Sequence, residues 1–262
     1  MEVEERRLTL RKSRHRLLSG LLIVVGMVFL AFAVTYFLYI GFARARLVDL
    51  QYDTGTKALV KSFTLYPGGF IEPRYWHDPL RARAMPWVQD DLTNGFQPVR
   101  GWSIAPKTNR TLPSRIIIPG IGVDSETKEL AIVNLGDALA YETPKFIVGH
   151  IPDTADPGEE GNGWYFGHLQ SPIKGEGAVF RDLPQIATQL REGEDIFVIL
   201  ESPQGDYLYE VTRTEVVHQN NLNLYESEDS IVTLVACVPD FVYDHRLLVT
   251  ARLVGVKLED SN

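Results

Sequence analysis

From Leu17 to Ala43 the chain runs through 27 residues without a charge, and this stretch limits its fold more than any other. Backbone in a bilayer must satisfy its own N–H and C=O groups, so such a run is helical if it spans. About 20 apolar residues are enough to cross. Tyr36 and Tyr39 lie near its far end, where aromatic side chains mark an interface. Before it stand Arg6, Arg7, Arg11, Lys12, Arg14 and Arg16 against Glu2, Glu4 and Glu5. That basic flank argues for an N-terminus inside and a C-terminus outside; Arg44 and Arg46 reduce the contrast without reversing it. Ala43-Arg44-Ala45 has the small-x-small form of a cleavage site, but a signal-peptide core spans only about 7–15 residues. The expectation is a basic cytoplasmic tail over 1–16, an uncleaved single-pass anchor over 17–43, and everything later outside the cell membrane.

The whole chain, 262 residues at a formal charge of −8, leaves a strongly acidic outer portion. Such a balance excludes nucleic acid as the natural partner and disfavours lying flat on an anionic membrane. A single cysteine, Cys237, excludes an intrachain disulfide framework and any Cys-rich zinc site.

Residues 44–113 read as a linker or a lid. Between 67 and 113 they hold Pro67, Pro73, Pro79, Pro86, Pro98, Pro106 and Pro113, a density that prevents long helices and central strands. Trp76, Trp87 and Trp102 in the same stretch need a surface to cover. The bland alternative is a stalk with local aromatic clusters.

From 114 to 262 short β-like runs and turn signals alternate, which predicts a mainly β domain, a barrel or sandwich with few helices. Strands are expected at Arg115–Pro119, Ile121–Val123, Leu130–Val133, Phe146–Val148 and Trp164–Phe166. Ile196–Glu201 and Tyr207–Val217 read as a hairpin across Ser202-Pro203-Gln204-Gly205. One or two helical turns over Phe180–Leu190 stop at Gly193. Two further runs, Ile231–Val238 and Arg246–Val254, flank a polar aromatic loop; as antiparallel neighbours they would bring Cys237 and Arg246 to one rim. A thiol nucleophile beside a cation forms two parts of an acyl-transfer site. By itself, a lone cysteine in an apolar strand is more often a small buried hydrophobe.

His150 and His168 each follow a glycine at the end of an apolar run, well placed to face a cleft. Taken with their neighbours, these residues resemble the sortase family. Gly167-His168 after an aromatic strand is similar to the family's strand-end histidine. Thr233-Leu234-Val235-Ala236-Cys237 resembles its Thr-Leu-x-Thr-Cys motif, and Arg246 its catalytic arginine. Pro157-Gly158-Glu159-Glu160-Gly161-Asn162 resembles its Pro-Gly-x-x-Gly-Asn pattern, and Phe180-x-x-Leu183 and Gly193-Glu194-Asp195-Ile196 follow in family order. The resemblance covers about Arg115 to Val256 together with the anchor. It departs at Ala236, where many members have threonine, a difference that bears on substrate contacts.

The resemblance implies a closed β-barrel transpeptidase that cuts an exported protein at a C-terminal sorting signal of Leu-Pro-x-Thr-Gly type. It then transfers the acyl group to an amine of the cell wall or of a pilin subunit. Cys237 would be the nucleophile, His168 the acid and base, and Arg246 the oxyanion and backbone clamp. His150 matches a second, non-catalytic histidine. No metal or organic cofactor is implied; Asp153, Asp156, Glu159 and Glu160 read as a solvated loop ahead of a calcium site. Asp78-Pro79 stands where lid-bearing members carry an anchor, though Leu80 replaces the aromatic. Two other functions remain open, a plain thiol protease with water as acceptor and an anchored β-domain that binds peptide without cutting it.

Overall fold

The computed structural model describes residues 2–53, 95–99, 112–130, 132–134, 139–141, 144–170 and 177–258, with backbone alone for 2–19, 132–134 and 139–141. Most of the expected linker or lid, 54–94 and 100–111, lies outside the described residues, including Trp76, Trp87, Trp102 and Asp78-Pro79. The chain divides into two units, one ending at Arg46 and the other beginning at Leu47.

The first unit is a single helix, α1 (Glu2–Ala45); a 3-10 turn over Arg46–Leu50 leads into the second. It is the one described helix long and apolar enough to cross a membrane. Leu21, Phe29, Phe32, Phe37 and Leu38 are all largely exposed along it, as a lipid-facing surface requires.

Among the described residues the second unit has twelve strands. In chain order they are β1 (Tyr52–Asp53), β2 (Gln97–Pro98), β3 (Arg115–Ile118), β4 (Val123–Glu129), β5 (Ile132–Asn134) and β6 (Leu139–Tyr141), then β7 (Val148–His150), β8 (Gly161–Phe166), β9 (Phe197–Ser202), β10 (Gly205–His218), β11 (Ser230–Val238) and β12 (His245–Leu258). Eight of them close a ring in the order β10-β9-β3-β4-β7-β8-β11-β12, with β12 returning to β10. Closure removes the open edges that a flat sheet would expose. The 14-residue β10 makes closure possible: it pairs with β9 on one side and with β12 on the other. Register shifts at Leu208/Tyr209 and Val211/Arg213 let it bend as it does so. β1 and β2 add to β10 and β12, and β5 with β6 forms a separate hairpin. One short helix, α2 (Ile186–Glu192), ends where Gly193 takes a left-handed φ of 90° and caps the carbonyls of Gln189 and Leu190.

Alternation along the strands separates an interior from an outer face. On β11, Val232, Leu234, Ala236 and Val238 point into the main core, joined there by Leu247, Val249, Ala251 and Leu253 of β12. The intervening Val235 and Leu248 belong to a second, outer cluster with Leu130, Ile151 and Trp164. Ala236 is therefore a core residue, facing away from the side of the strand that carries Cys237. The alanine at this position bears on barrel packing.

The segment directly after the helix is part of this unit. Leu47 is buried in the main core, with Leu50 and Tyr52 packed against it. Thr214 Oγ1 donates to the Leu50 carbonyl at 2.7 Å, and β1 pairs with Arg213 and Thr214 of β10.

Several strands differ from the sequence expectation. Ile121 belongs to a 3-10 turn over Pro119–Ile121, closed by left-handed Gly122, and β4 starts only at Val123. Phe146 adopts a positive φ of 63°, which ends any extended run there, and β7 begins at Val148. Leu130 caps β4 by donating its N–H to the His150 carbonyl, and β5 begins at Ile132.

Candidate active site

Cys237 lies one residue from the end of β11 and is the direct register partner of Arg246, the second residue of β12. Facing pairs in an antiparallel ladder carry their side chains on the same face, here the outer one. On the other side of Arg246, β10 contributes Val217. On the other side of Cys237, β8 runs parallel to β11, with Phe166 opposite Val235. Gly167 extends that line, its N–H donating to the Val235 carbonyl at 3.2 Å. His168 lies two residues past the end of β8, its carbonyl accepting from the Phe180 N–H at 2.9 Å. Cys237, Arg246 and Val217 form one row across three neighbouring strands. The next row is Phe166, Val235, Leu248 and Glu215; the third is Trp164, Thr233, Thr250 and Arg213.

The parallel β8–β11 register is pinned by the loop that precedes β8. Gly158 takes φ of +81°, donates its N–H to the Tyr209 hydroxyl at 2.8 Å, and leaves no room for a side chain, since a Cβ there would lie 2.2 Å from the Tyr207 ring. Asn162 accepts from Thr233 Oγ1 at 3.0 Å and donates to the Tyr225 carbonyl at 3.3 Å. The Gly-x-x-Gly-Asn pattern thus acts structurally, tying β8 to β11.

Cys237 is partly exposed. Burial pushes its thiol pKa above the ordinary range, and the Arg246 charge opposes that shift. Arg246 Nη1 donates to the carbonyls of Tyr243 (2.8 Å) and His245 (3.0 Å), and Nη2 reaches Gln219 Oε1 at 3.4 Å. These bonds use three of the guanidinium's five N–H groups. The Tyr243 carbonyl is turned towards Arg246 by a residue in the left-handed region, φ 56°, in a loop where Phe241 also has φ of 62°. Next to Arg246, His245 Nδ1 meets Asp244 Oδ1 at 2.7 Å, and its ring stands edge-on to His218 at 5.2 Å.

The two strand-end histidines have different surroundings. His150 is fully buried, its Nε2 within 3.2 Å of Thr154 Oγ1 and 3.3 Å of the Ala155 carbonyl, with its ring against Tyr165 at 4.8 Å. His168 is half-buried. In the acidic loop, Asp156 is buried and its N–H donates to the Glu159 carboxylate at 3.2 Å. Among the described residues no group of three or more His, Cys, Asp or Glu side chains is placed to hold a metal ion.

Three participants escaped sequence reasoning. Gln219 and the Tyr243 carbonyl hold the guanidinium, and neither belongs to a motif. Tyr225 edges onto Trp164 at 5.2 Å, accepts from Arg213 Nη2 at 3.1 Å and lies 3.3 Å from Thr250 Oγ1, so the segment before β11 is strapped across the outer face. Its only sequence signal was one aromatic residue in a polar loop.

Comparison with known proteins adds a family. No curated protein matches the chain. Among solved structures, a sortase D5 transpeptidase of Clostridium perfringens is similar at 22% identity and TM-score 0.42, over 55% of this chain and 79% of that one. Sortase A of Listeria monocytogenes is similar at 15% identity and TM-score 0.42, over 58% and 93%. Sortase C1 of Streptococcus agalactiae is similar at 24% identity and TM-score 0.41, over 53% and 65%. A family model described as the sortase domain matches residues 116–254, more than half of the chain and all eight strands of the ring. The chain belongs to the sortase family.

Proposed function

We propose that the chain is a membrane-anchored cysteine transpeptidase that cleaves a C-terminal sorting signal of Leu-Pro-x-Thr-Gly type and passes the acyl group to a cell-surface amine. Family membership supports the reaction class. The observation that supports the residue roles is the direct pairing of Cys237 with Arg246, on a strand whose other neighbour, β8, ends two residues before His168.

In this reading the Cys237 thiolate attacks the carbonyl carbon before the scissile bond. His168 gives a proton to the departing amine, and the product is a thioester on Cys237. Arg246 donates N–H groups to the oxyanion as it forms, where a fixed donor stabilises charge most strongly. An incoming amine then attacks the thioester and its proton passes to His168. Burial favours the neutral thiol, and in this reading the thiolate forms as the thiol gives its proton to the His168 imidazole. On the same reading residues 17–43 serve as the anchor and 114–262 as the catalytic barrel outside the cell membrane.

The test uses the full chain in detergent with a fluorescent Leu-Pro-x-Thr-Gly peptide, with and without an added amine. Wild type is expected to release the leaving peptide and, with amine present, to yield a new amide. Cys237→Ala is expected to do neither while keeping its melting temperature. Turnover by that variant would remove the mechanism; cleavage with no amide at any amine concentration would make the protein a thiol protease.

A further inference from the structure

The loop that delivers Arg246 is held from the opposite face of the sheet by a cluster that the mechanism above does not use. His218 ends β10, His245 opens β12, and the two are register partners. On its other side His245 faces Val238, which points into the main core. By alternation both imidazoles therefore lie on the interior side, beneath the row of Cys237, Arg246 and Val217. Their rings meet edge-on at 5.2 Å. His245 Nδ1 lies 2.7 Å from Asp244 Oδ1, with the two side chains only 23% and 16% exposed. A carboxylate only accepts, so Nδ1 carries the hydrogen, and a pair this sheltered is screened less than one on the surface. His218 Nδ1 accepts from the Asn220 N–H at 3.3 Å and so caps the 3-10 turn Gln219–Asn221.

We propose that Asp244, His245 and His218 are positioning residues that set the plane of the Arg246 guanidinium. The catalytic consequence rests on the transpeptidase reading, in which Arg246 bonds the oxyanion. Each acceptor that holds the guanidinium is attached to this cluster. The Tyr243 and His245 carbonyls, at 2.8 Å and 3.0 Å from Nη1, stand at the two ends of the Asp244–His245 dipeptide, which its own side-chain bond closes. Gln219 Oε1, at 3.4 Å from Nη2, belongs to the turn that His218 caps. The Gln219 N–H donates to the Asp244 carbonyl at 2.9 Å and ties the two halves together.

Strain explains why such a device is needed. Phe241 and Tyr243 both take positive φ, 62° and 56°. That region costs about 1–2 kcal/mol for each residue other than glycine. A loop under this load keeps one set of carbonyl directions only while its surroundings over-determine it. The Asp244–His245 bond fixes the residue that directly follows Tyr243, and the capped turn fixes the strand end against which the loop closes.

The test reads Arg246 by two routes on the full chain in detergent. The first is the pH midpoint of Cys237 alkylation by iodoacetamide, which needs no substrate. Burial raises the thiol pKa and the Arg246 charge lowers it, so a guanidinium released from its place should leave the midpoint higher. His245→Leu keeps bulk and removes the donor to Asp244. It is expected to move the midpoint up towards that of Arg246→Met, and to move it much less in a protein that already carries Arg246→Met. The second route is turnover of a sorting peptide. There His245→Leu should lower kcat about tenfold, less than the 100- to 1000-fold of losing an oxyanion donor outright. KM should change less, since the oxyanion is bonded only as it forms. His245→Asn sets an amide N–H near the place of Nδ1–H and should recover most of both effects. His218→Leu, which uncaps the turn bearing Gln219 from a separate strand, carries the test if His245→Leu does not fold. An unchanged midpoint in both leucine variants, an equal shift with and without Arg246→Met, or a His245→Asn protein as impaired as His245→Leu would overturn the proposal. The expected midpoint shifts without any sorting-peptide cleavage by wild type would instead defeat the transpeptidase reading and leave the placement of Arg246 standing.

Discussion

Cys237 and Arg246 are register partners across the β11–β12 ladder, and at that position burial and charge act on the thiol in opposite senses. Burial is the larger effect and favours the neutral thiol; the guanidinium favours the thiolate. The thiolate is the form that alkylates. A raised pKa leaves a smaller thiolate fraction at any given pH, so Cys237 should react with iodoacetamide more slowly than a free cysteine near neutrality. Its rate should climb with a midpoint above that of a free cysteine, about 8.5. Arg246→Met removes the one opposing charge and should move the midpoint further up. Mass-spectrometric alkylation rates across pH for both proteins decide this; a wild-type midpoint below the free-cysteine value would show that the thiol is already paired as an ion.

Arg246→Lys should be severely impaired although the charge is kept. The guanidinium spreads its N–H groups over the carbonyls of Tyr243 and His245 and the Gln219 amide, so its plane is fixed before substrate arrives. A lysine ammonium is a compact charge on a flexible stem and cannot hold those acceptors and an oxyanion together. Loss of one preorganised donor costs about 100- to 1000-fold in rate. Turnover of Arg246→Lys and Arg246→Ala is the measurement. Near-normal rate in the lysine variant would reduce Arg246 to a point charge, and near-normal rate in the alanine variant would remove it from the site.

The β11–β12 hairpin was legible because its signals are local. Apolar alternation marks both strands, and a short loop returns the chain, so the end of one run was expected beside the start of the other; the register then pairs Cys237 with Arg246. The hairpin at Ser202–Gly205 was legible for the same reason. β4 was largely missed because Asp124, Glu126, Lys128 and Glu129 sit on its outward or edge positions, and only Val123 and Ser125 are buried along it. Its strand character comes from pairing with β3 and β7, which no local window contains. The parallel pairing of β8 with β11 likewise joins segments distant in sequence, and motif order alone carried the assignment of His168. The positive φ of Phe146 and Tyr243 is a tertiary constraint, since neither residue type favours that region.

Gly163→Ala should destabilise the barrel more than Gly122→Ala. A Cβ on Gly163 would lie 2.6 Å from the Ala155 carbonyl oxygen, a backbone atom with little freedom to move. Overpacking of that kind costs about 1–3 kcal/mol, and here it also pushes the loop that fixes the β8–β11 register. Gly122 has φ of +65° but nothing within 4 Å of the added atom, so only the left-handed penalty of about 1–2 kcal/mol applies. Denaturant midpoints rank the two variants. Turnover at a temperature where both are folded should fall in Gly163→Ala alone; equal turnover would separate the loop from the placement of His168.

Residues 47–53 should stabilise the barrel even though they follow the long apolar helix directly. Leu47 contributes a buried side chain to the main core, Leu50 and Tyr52 pack beside it, and the Leu50 carbonyl accepts from Thr214 Oγ1 at 2.7 Å. Tyr52 and Asp53 pair with β10 opposite Thr214 and Arg213, covering part of an edge that β9 leaves open beyond Glu210. Removing this segment would expose apolar core, an unpaired stretch of strand and the Thr214 hydroxyl at once. Leu47→Ala alone should cost about 2–3 kcal/mol, the lower part of the range for a buried leucine, because its site lies where the chain enters the barrel and can partly collapse. A soluble chain beginning at residue 54 should melt well below one beginning at residue 46. It should also show faster hydrogen exchange along the second half of β10, since fewer contacts would then protect those amides. Equal melting temperatures for the two chains would mean that 47–53 only rests on the barrel. The Leu47→Ala measurement distinguishes that case from one in which the shortened chain compensates by repacking.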